Sequence, residues 1–198
     1  MTSPPTAALI ERLLATGCAV AEDYFAPALC QALQLEAEAL TADQTAIDAG
    51  VGRGLDHKSD AAIRRARIRW LDGRSPAQLD FTGRAEDLRM SINELFYMGL
   101  FDFDAQLALT PVGGFYARHS DSFQGARNRV VSLVAYLNDG WQSADGGCLR
   151  IWPLDGARID VVPRRGTLVL MMSENVEHEV LPTNRSRASI AGWFRLRA

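Results

Sequence analysis

The chain is poor in the residues that mark several special protein classes. It has three cysteines and three histidines among 198 residues. An odd number of cysteines without metal-ligand spacing argues against a disulfide scaffold and against a cysteine zinc site. We therefore interpret Cys18, Cys30 and Cys148 as small core residues in a reducing cytosol, and we expect a cytoplasmic protein.

Long apolar runs and charge of one sign are also missing. No apolar stretch approaches the roughly 20 residues of a membrane span. The N-terminal segment carries Glu11 and Arg12 and lacks the basic start of a signal peptide. The net charge is -3, without a long run of either sign. These features predict no membrane partner and no nucleic-acid partner, and the length suits a single domain, 1–198.

Helical periodicity dominates the first hundred residues. We expect one helix near the N-terminus, a second beginning near Pro27, and a third over about 83–98 that ends at Gly99. The residues predicted to face the core are Leu9, Leu13, Leu14, Leu29, Leu33, Leu40, Leu88, Ile92, Leu95 and Phe96.

The pattern changes between residues 50 and 73 and again after Phe101. The glycines and charges after Gly50 predict a loop, followed by a strand over about 63–70. Beyond Phe101, short apolar strands alternate with turn signals, and "RVVSLVAYLN" (129–138) has two apolar faces, so both sides should be covered. The fold class is therefore α+β with a mainly β core: a sandwich or barrel over 101–198, supported by helices from 1–100.

His119 and Asp121, in "FYARHSDSF", form a His-x-Asp pair. In one interpretation the histidine is half-buried and hydrogen-bonded to the aspartate; in the other the two residues are metal ligands. If 119–121 is extended, the two side chains project to the same side of a strand. The distant His178, in "NVEHEVLP", would supply a third ligand, whereas His57 lies in the glycine-rich loop.

Two histidines and one carboxylate are the facial triad of non-haem iron(II) oxygenases. This arrangement leaves three coordination positions open for an acidic cosubstrate and O₂. Zinc is the rival metal, but its catalytic sites more often use three histidines or two histidines and a glutamate.

Arg187 adds a candidate carboxylate anchor. It shares one face of a predicted strand with Ser189, Ala191 and Trp193. A guanidinium that points into a barrel needs a carboxylate partner, which it grips with two hydrogen bonds. The alternatives are an ion pair with a protein acid such as Glu177 or Glu179, or an exposed arginine on an edge strand.

At these residues the chain resembles the iron(II)- and 2-oxoglutarate-dependent dioxygenases, and among them the Egl-nine (hypoxia-type) prolyl hydroxylases and their bacterial relatives. The resemblance runs from about Gly50 to Phe194 and implies a double-stranded β-helix, a jelly-roll or cupin-like barrel. The motifs that carry it are "GVGRG", "IRRARIRWLDG", "FYARHSD", "AYLNDGW", "DGGCLRIWP", "HEVLP" and "RASIAGWF".

The resemblance also implies roles for individual residues. Arg187 takes the distal carboxylate of 2-oxoglutarate, and Tyr136 offers its hydroxyl to the same group. Ser189 is the third residue of this cosubstrate site. The alternative for Tyr136 is a core aromatic residue. The loop at about 50–70 corresponds to a finger that folds over the substrate. The implied iron ligands are His119, Asp121 and His178, and the implied substrate residues are Arg129 and Trp193, whose alternatives are a surface arginine and a packing tryptophan.

Three departures from the family pattern concern the substrate side. Ala66 replaces an aspartate that pairs with the arginine matching Arg129, Thr110 replaces a tyrosine, and Ala191 replaces a hydroxyl residue. The retained Asp121 argues against a halogenase. Tryptophan at position 193, where nucleic-acid demethylases carry a second arginine, argues against a nucleic-acid substrate.

The implied activity is prolyl hydroxylation of a protein, elongation factor Tu being the substrate known for the bacterial relatives. Iron(II), 2-oxoglutarate and O₂ would be required, succinate and CO₂ would be the coproducts, and ascorbate is a candidate reductant. Two alternatives remain open at this stage. One is hydroxylation of a small molecule such as a free amino acid, and the other is a non-catalytic module that binds peptide or senses iron.

Overall fold

Two antiparallel sheets form the centre of the fold. The computed structural model describes residues 4–42, 47–48, 65–122 and 128–197. Within these residues the larger sheet has the strand order β1-β9-β6-β11-β4-β3-β2 and the smaller one β5-β10-β7-β8. The strands are β1 (Cys18–Ala21), β2 (Ile47–Asp48), β3 (Arg67–Trp70), β4 (Asp102–Thr110), β5 (Tyr116–His119), β6 (Arg129–Tyr136), β7 (Leu149–Trp152), β8 (Ile159–Val161), β9 (Leu168–Met172), β10 (Glu177–Val180) and β11 (Arg187–Arg195). This architecture confirms the predicted fold class.

Three helices, α1 (Pro4–Thr16), α2 (Pro27–Glu38) and α3 (Pro76–Phe96), pack on one face of the larger sheet. Helix α2 begins at Pro27 as predicted, because proline loses no hydrogen bond in the first turn. Most of the predicted core positions are buried, but Leu95 is 38% exposed, contrary to expectation. None of the described helices is long and apolar enough to cross a membrane.

The start of α3 was predicted about seven residues too late. The helix begins at Pro76 rather than near Gly83, because the Ser75 hydroxyl accepts a hydrogen bond from the backbone N–H of Gln78 and caps the first turn. Its end agrees with the prediction to within a few residues. Tyr97 adopts the left-handed conformation with φ 53° and terminates the helix just before Gly99.

Strand β6 has the two covered faces that its sequence predicts. Val131, Leu133 and Ala135 pack into the core beneath the helices. Ser132 and Tyr136, of opposite parity, face the smaller sheet and are also buried. The space between the two sheets therefore receives every second side chain of β6, and this is where the candidate site lies.

Several strand expectations need correction. The strand predicted over about 63–70 begins at Arg67, because Arg65 and Ala66 lie outside the ladder and 61–64 lie outside the described residues. Strands β1 and β2 were not predicted; β2 has only two residues, too few for any alternation to show. Most of the predicted substrate loop, residues 49–64, also lies outside the described part of the chain.

Candidate metal centre and cosubstrate pocket

Three side chains converge between the sheets, near the edge strand β5 and its neighbour β10. The ligand atoms of His119, Asp121 and His178 all lie within 4.8 Å of one another. His119 Nε2 is 3.5 Å from Asp121 Oδ1, and His178 Nε2 is 3.8 Å from Asp121 Oδ2. The His119–Asp121 distance agrees both with a direct contact between the two side chains and with shared binding of a metal ion. Because His178 lies at the same point, the three residues form a candidate metal centre.

Asp121 reaches this cluster by a different route from the one predicted. Strand β5 ends at His119, and Asp121 lies in a bend rather than on an extended strand. Strand parity therefore does not explain its direction. Its carboxylate is instead fixed by the hydroxyl of Ser132 on β6, which donates a 2.6 Å hydrogen bond to Asp121 Oδ2.

Both histidines present the same ring nitrogen to the centre. Nδ1 of His119 lies 2.7 Å from the carbonyl oxygen of Ala117, and Nδ1 of His178 lies 3.5 Å from that of Val176. Because a carbonyl oxygen only accepts, we assign a proton to Nδ1 of each ring. The lone pair of Nε2 is then free to bind a metal ion.

The protonation states also suit a divalent cation. Burial lowers the pKa of His178 to about 4, although Asp121 opposes the shift, so the imidazole is neutral near pH 7. Burial alone would raise the pKa of Asp121, but His178, His119 and the Ser132 hydroxyl outweigh it and hold that pKa far below its ordinary value. A neutral imidazole and an ionised carboxylate are the forms that ligate metals.

Arg187 lies buried on β11, with only 3% of its surface exposed. Its Nη2 donates to the hydroxyl of Tyr136 at 3.1 Å, and its Nε has no hydrogen-bond partner among the described residues. Gly147 makes room for it, since a Cβ there would lie 3.1 Å from Arg187 Cδ. A buried guanidinium whose Nε–H has no partner among the described residues fits a carboxylate ligand that comes from outside the chain.

The expected alternative of an ion pair with a protein acid is wrong for the described residues. Glu177 pairs with Arg118, and Glu179 lies 3.6 Å from Arg150. Neither acid reaches Arg187, and the edge-strand alternative also fails because β11 lies between β6 and β4.

Tyr136 and Ser189 complete the polar surroundings of Arg187. They face each other as direct partners across the β6–β11 pairing, and both are buried. Burial raises the pKa of Tyr136, so its phenol keeps the proton that a carboxylate can accept. Arg187, Tyr136 and Ser189 therefore offer a guanidinium and two hydroxyls that a single acidic group can bind.

Arg129 and Trp193 lie together at the other end of the same face. The Arg129 guanidinium lies 3.7 Å above the Trp193 ring, and the Trp193 and Trp70 ring centroids are 6.1 Å apart. Trp193 is opposite Ser132 in the β-ladder, and the Ser132 hydroxyl is hydrogen-bonded to Asp121. Trp70, which is 43% exposed, was not singled out from the sequence.

The three departures lie on this same inner face. Thr110 is buried opposite Arg187, and Ala191 is the partner of both Val134 and Gln106. Ala66 packs against Ile68 and Ala108. None of the three belongs to the His119–Asp121–His178 cluster, whereas Thr110 is the direct partner of Arg187 across the β4–β11 pairing.

Comparison with known proteins identifies the family. A family model described as the 2OG-Fe(II) oxygenase superfamily matches residues 105–195. A Pseudomonas putida prolyl-4-hydroxylase is 38% identical, with a TM-score of 0.89 over 98% of this chain and 100% of the other. The chain belongs to the 2OG-Fe(II) oxygenase superfamily. It is thus an enzyme of the iron(II)- and 2-oxoglutarate-dependent class, for which O₂ is the co-reactant.

Two further solved structures share the fold at lower identity. A prolyl hydroxylase from Trichoplax adhaerens, in complex with a hypoxia inducible factor peptide fragment, is 22% identical, with a TM-score of 0.84 over 96% of this chain and 89% of the other. A prolyl 4-hydroxylase from Phytophthora capsici is also 22% identical, with a TM-score of 0.76 over 95% of this chain and 61% of the other.

Proposed function

We propose that this 2OG-Fe(II) oxygenase hydroxylates a prolyl residue of a protein, with His119, Asp121 and His178 as the iron(II) ligands. The observation that carries the assignment of the site is the presence of a three-residue ligand cluster together with the buried guanidinium of Arg187, which has no carboxylate partner among the described residues. When bound, iron(II) supplies the O₂ activation that couples oxidative decarboxylation of 2-oxoglutarate, to succinate and CO₂, to substrate hydroxylation.

The chain's own residues would bind and orient the reactants. Arg187 would grip the distal carboxylate of 2-oxoglutarate, with Tyr136 and Ser189 donating hydroxyl hydrogen bonds to it. The apolar side chains around Tyr136, among them Val169 and Leu149, exclude water and so strengthen this charge pairing. The cosubstrate would then extend along the inner face of β11 toward the metal cluster.

Two observations favour a protein substrate: the activity of similar proteins, and the partly exposed aromatic pair of Trp70 and Trp193. The Pseudomonas putida relative is a prolyl-4-hydroxylase, and the Trichoplax adhaerens protein was solved with a peptide fragment. In this chain the partly exposed Trp70 beside Trp193 and Arg129 offers a surface on which a proline and its flanking residues can pack. Elongation factor Tu is the protein that we propose to test first.

The test is a search for added oxygen on proline. Purified enzyme is incubated with iron(II), 2-oxoglutarate, ascorbate as reductant, and either elongation factor Tu or a cytosolic extract, and the tryptic peptides are analysed by mass spectrometry. We expect one prolyl residue that gains an oxygen atom with the wild type and not with His178→Ala. Succinate formation that is stimulated by a free amino acid, with no modified protein, would overturn the protein substrate.

A further inference from the structure

The carboxylate of Asp121 is held by a chain of two buried hydroxyls. Ser132 Oγ lies 2.6 Å from Asp121 Oδ2 and 2.8 Å from Ser173 Oγ. Both serines are only 1% exposed. Since a hydroxyl has one proton and Ser132 gives its proton to the carboxylate, Ser173 must be the donor to Ser132. Successive hydrogen bonds of this kind polarise and strengthen one another in a dry interior.

Ser173 also fastens the backbone of the bend that carries Asp121. Its carbonyl accepts a 3.1 Å hydrogen bond from the N–H of Ser122, and its own N–H donates to the carbonyl of Val130 at 3.0 Å. The bend after β5 has no strand ladder of its own at Asp121. Both the backbone and the side chain of this ligand are therefore positioned through Ser173 and Ser132.

The two carboxylate oxygens of Asp121 have different partners. Oδ2 receives the proton of Ser132 and lies 3.8 Å from His178 Nε2, while Oδ1 lies 3.5 Å from His119 Nε2. Among the described residues, no hydroxyl donates a hydrogen bond to Oδ1. Each oxygen therefore faces one histidine, and the bond from Ser132 fixes the rotation of the carboxylate between them.

We propose that Ser132 and Ser173 are positioning residues that hold the carboxylate of Asp121 in the orientation required for metal binding. The inference rests on the proposed function, since it concerns the same metal centre. Removing the Ser132 hydroxyl frees Oδ2 and the carboxylate rotamer, which weakens metal binding and changes the coordination. Removing the Ser173 hydroxyl leaves the Ser132–Asp121 bond in place and has a smaller effect in the same direction.

The experiment measures metal binding without turnover. Metal-free wild type, Ser132→Ala, Ser173→Ala and Ser132→Thr are titrated with cobalt(II), and the dissociation constant and the visible absorption spectrum are recorded. Ser122→Ala is the matched control, because it removes a buried hydroxyl next to Asp121 that has no hydrogen-bond partner among the described residues. Thermal unfolding of each metal-free variant reports whether it is folded.

We expect Ser132→Ala to weaken cobalt(II) binding about 10-fold or more, the effect typical of losing a partner of a metal ligand. Its absorption spectrum should change, Ser132→Thr should restore both properties, and Ser122→Ala should match the wild type. Equal dissociation constants and spectra for Ser132→Ala and Ser122→Ala overturn the proposal. If Ser132→Ala does not fold, Ser173→Ala decides by the same comparison. A wild type that binds no cobalt(II) overturns the metal centre itself, which is a distinguishable result.

Discussion

His119 and His178 are direct partners across the pairing of β5 with β10, and their ring centroids lie 4.3 Å apart. Residues 59 positions apart in the sequence thus become neighbours because two short strands of the smaller sheet are adjacent. The bend that follows His119 then needs only two residues to bring Asp121 to the same point. This local geometry brings three candidate ligands together from a tripeptide and a single distant histidine.

The metal assignment predicts different outcomes for two histidines. His178→Ala should abolish turnover and weaken iron(II) binding severely, because it removes one of three ligands. His57→Ala should leave iron(II) affinity unchanged; this residue lies outside the described part of the chain. Anaerobic titration with iron(II) checks both variants, and equal losses of affinity would refute the assignment.

The cosubstrate assignment predicts a graded series. Arg187→Ala should raise the dissociation constant of 2-oxoglutarate by at least 10-fold, since a hydrogen bond to a charged group contributes about 1.5–3 kcal/mol. Tyr136→Phe should cost about 1 kcal/mol, as for an ordinary hydrogen bond. Isothermal titration with 2-oxoglutarate measures both effects.

Arg185→Ala is the control for this series. Arg185 precedes the same strand, but it is exposed and pairs with Asp145 at 3.0 Å. Its loss should leave 2-oxoglutarate binding within about twofold of the wild type, since exposed ion pairs contribute little. Normal binding by Arg187→Ala would show that the buried guanidinium has another purpose.

The substrate assignment predicts a separation of two activities. Arg129→Ala should raise the KM for the protein substrate, while the slow conversion of 2-oxoglutarate without substrate continues. Arg185→Ala is again the control, because its guanidinium lies 4.8 Å from the centre of the Trp141 ring, in a similar arginine–tryptophan contact that involves neither Trp193 nor Trp70. If both variants retain the wild-type KM, the Arg129–Trp193 pair is only a packing contact.

The buried His178 predicts a pH dependence for the metal-free protein. Its pKa in the folded state, about 4, is below its ordinary value of 6.5, so the unfolded chain binds the proton more readily. The free energy of unfolding should therefore fall as the pH drops from 6.5 toward 4. The lowered pKa of Asp121 contributes only below its ordinary value of 3.8, outside this window. Urea unfolding at pH 7 and pH 5 should show a smaller decrease for His178→Gln, and an equal decrease in both proteins would contradict the account.

Much of the fold could be predicted from the spacing of apolar residues and from the residues that begin and end helices and strands. Three features depend only on residues close together in the sequence. They are the leucine stripes of α1 and α2, the proline that starts α2, and the two apolar faces of β6. The start of α3 could not be predicted from the spacing of apolar residues. The apolar stripe begins inside the helix, whereas its true start is set by a serine cap and a proline.

The site was less predictable where contacts are distant in sequence. Ser132 and Ser173 lie 41 positions apart, and neither belongs to a ligand motif, so only the pairing of β6 with β9 brings them to Asp121. The absence of an acid beside Arg187 among the described residues also required the structure, because nearby glutamates are plausible partners until their own ion pairs are seen. Ligand types could be inferred from residue chemistry, but the contacts that orient them could not.

The most direct test of the account is the formation of succinate by purified enzyme supplied with iron(II), 2-oxoglutarate and O₂. The wild type should release succinate slowly alone and faster when a prolyl protein substrate is added. His178→Ala should release none, and Arg187→Ala should need far more 2-oxoglutarate. Succinate formation by His178→Ala at the wild-type rate, or none by a wild type that is folded and loaded with iron(II), would contradict the assignment of this site.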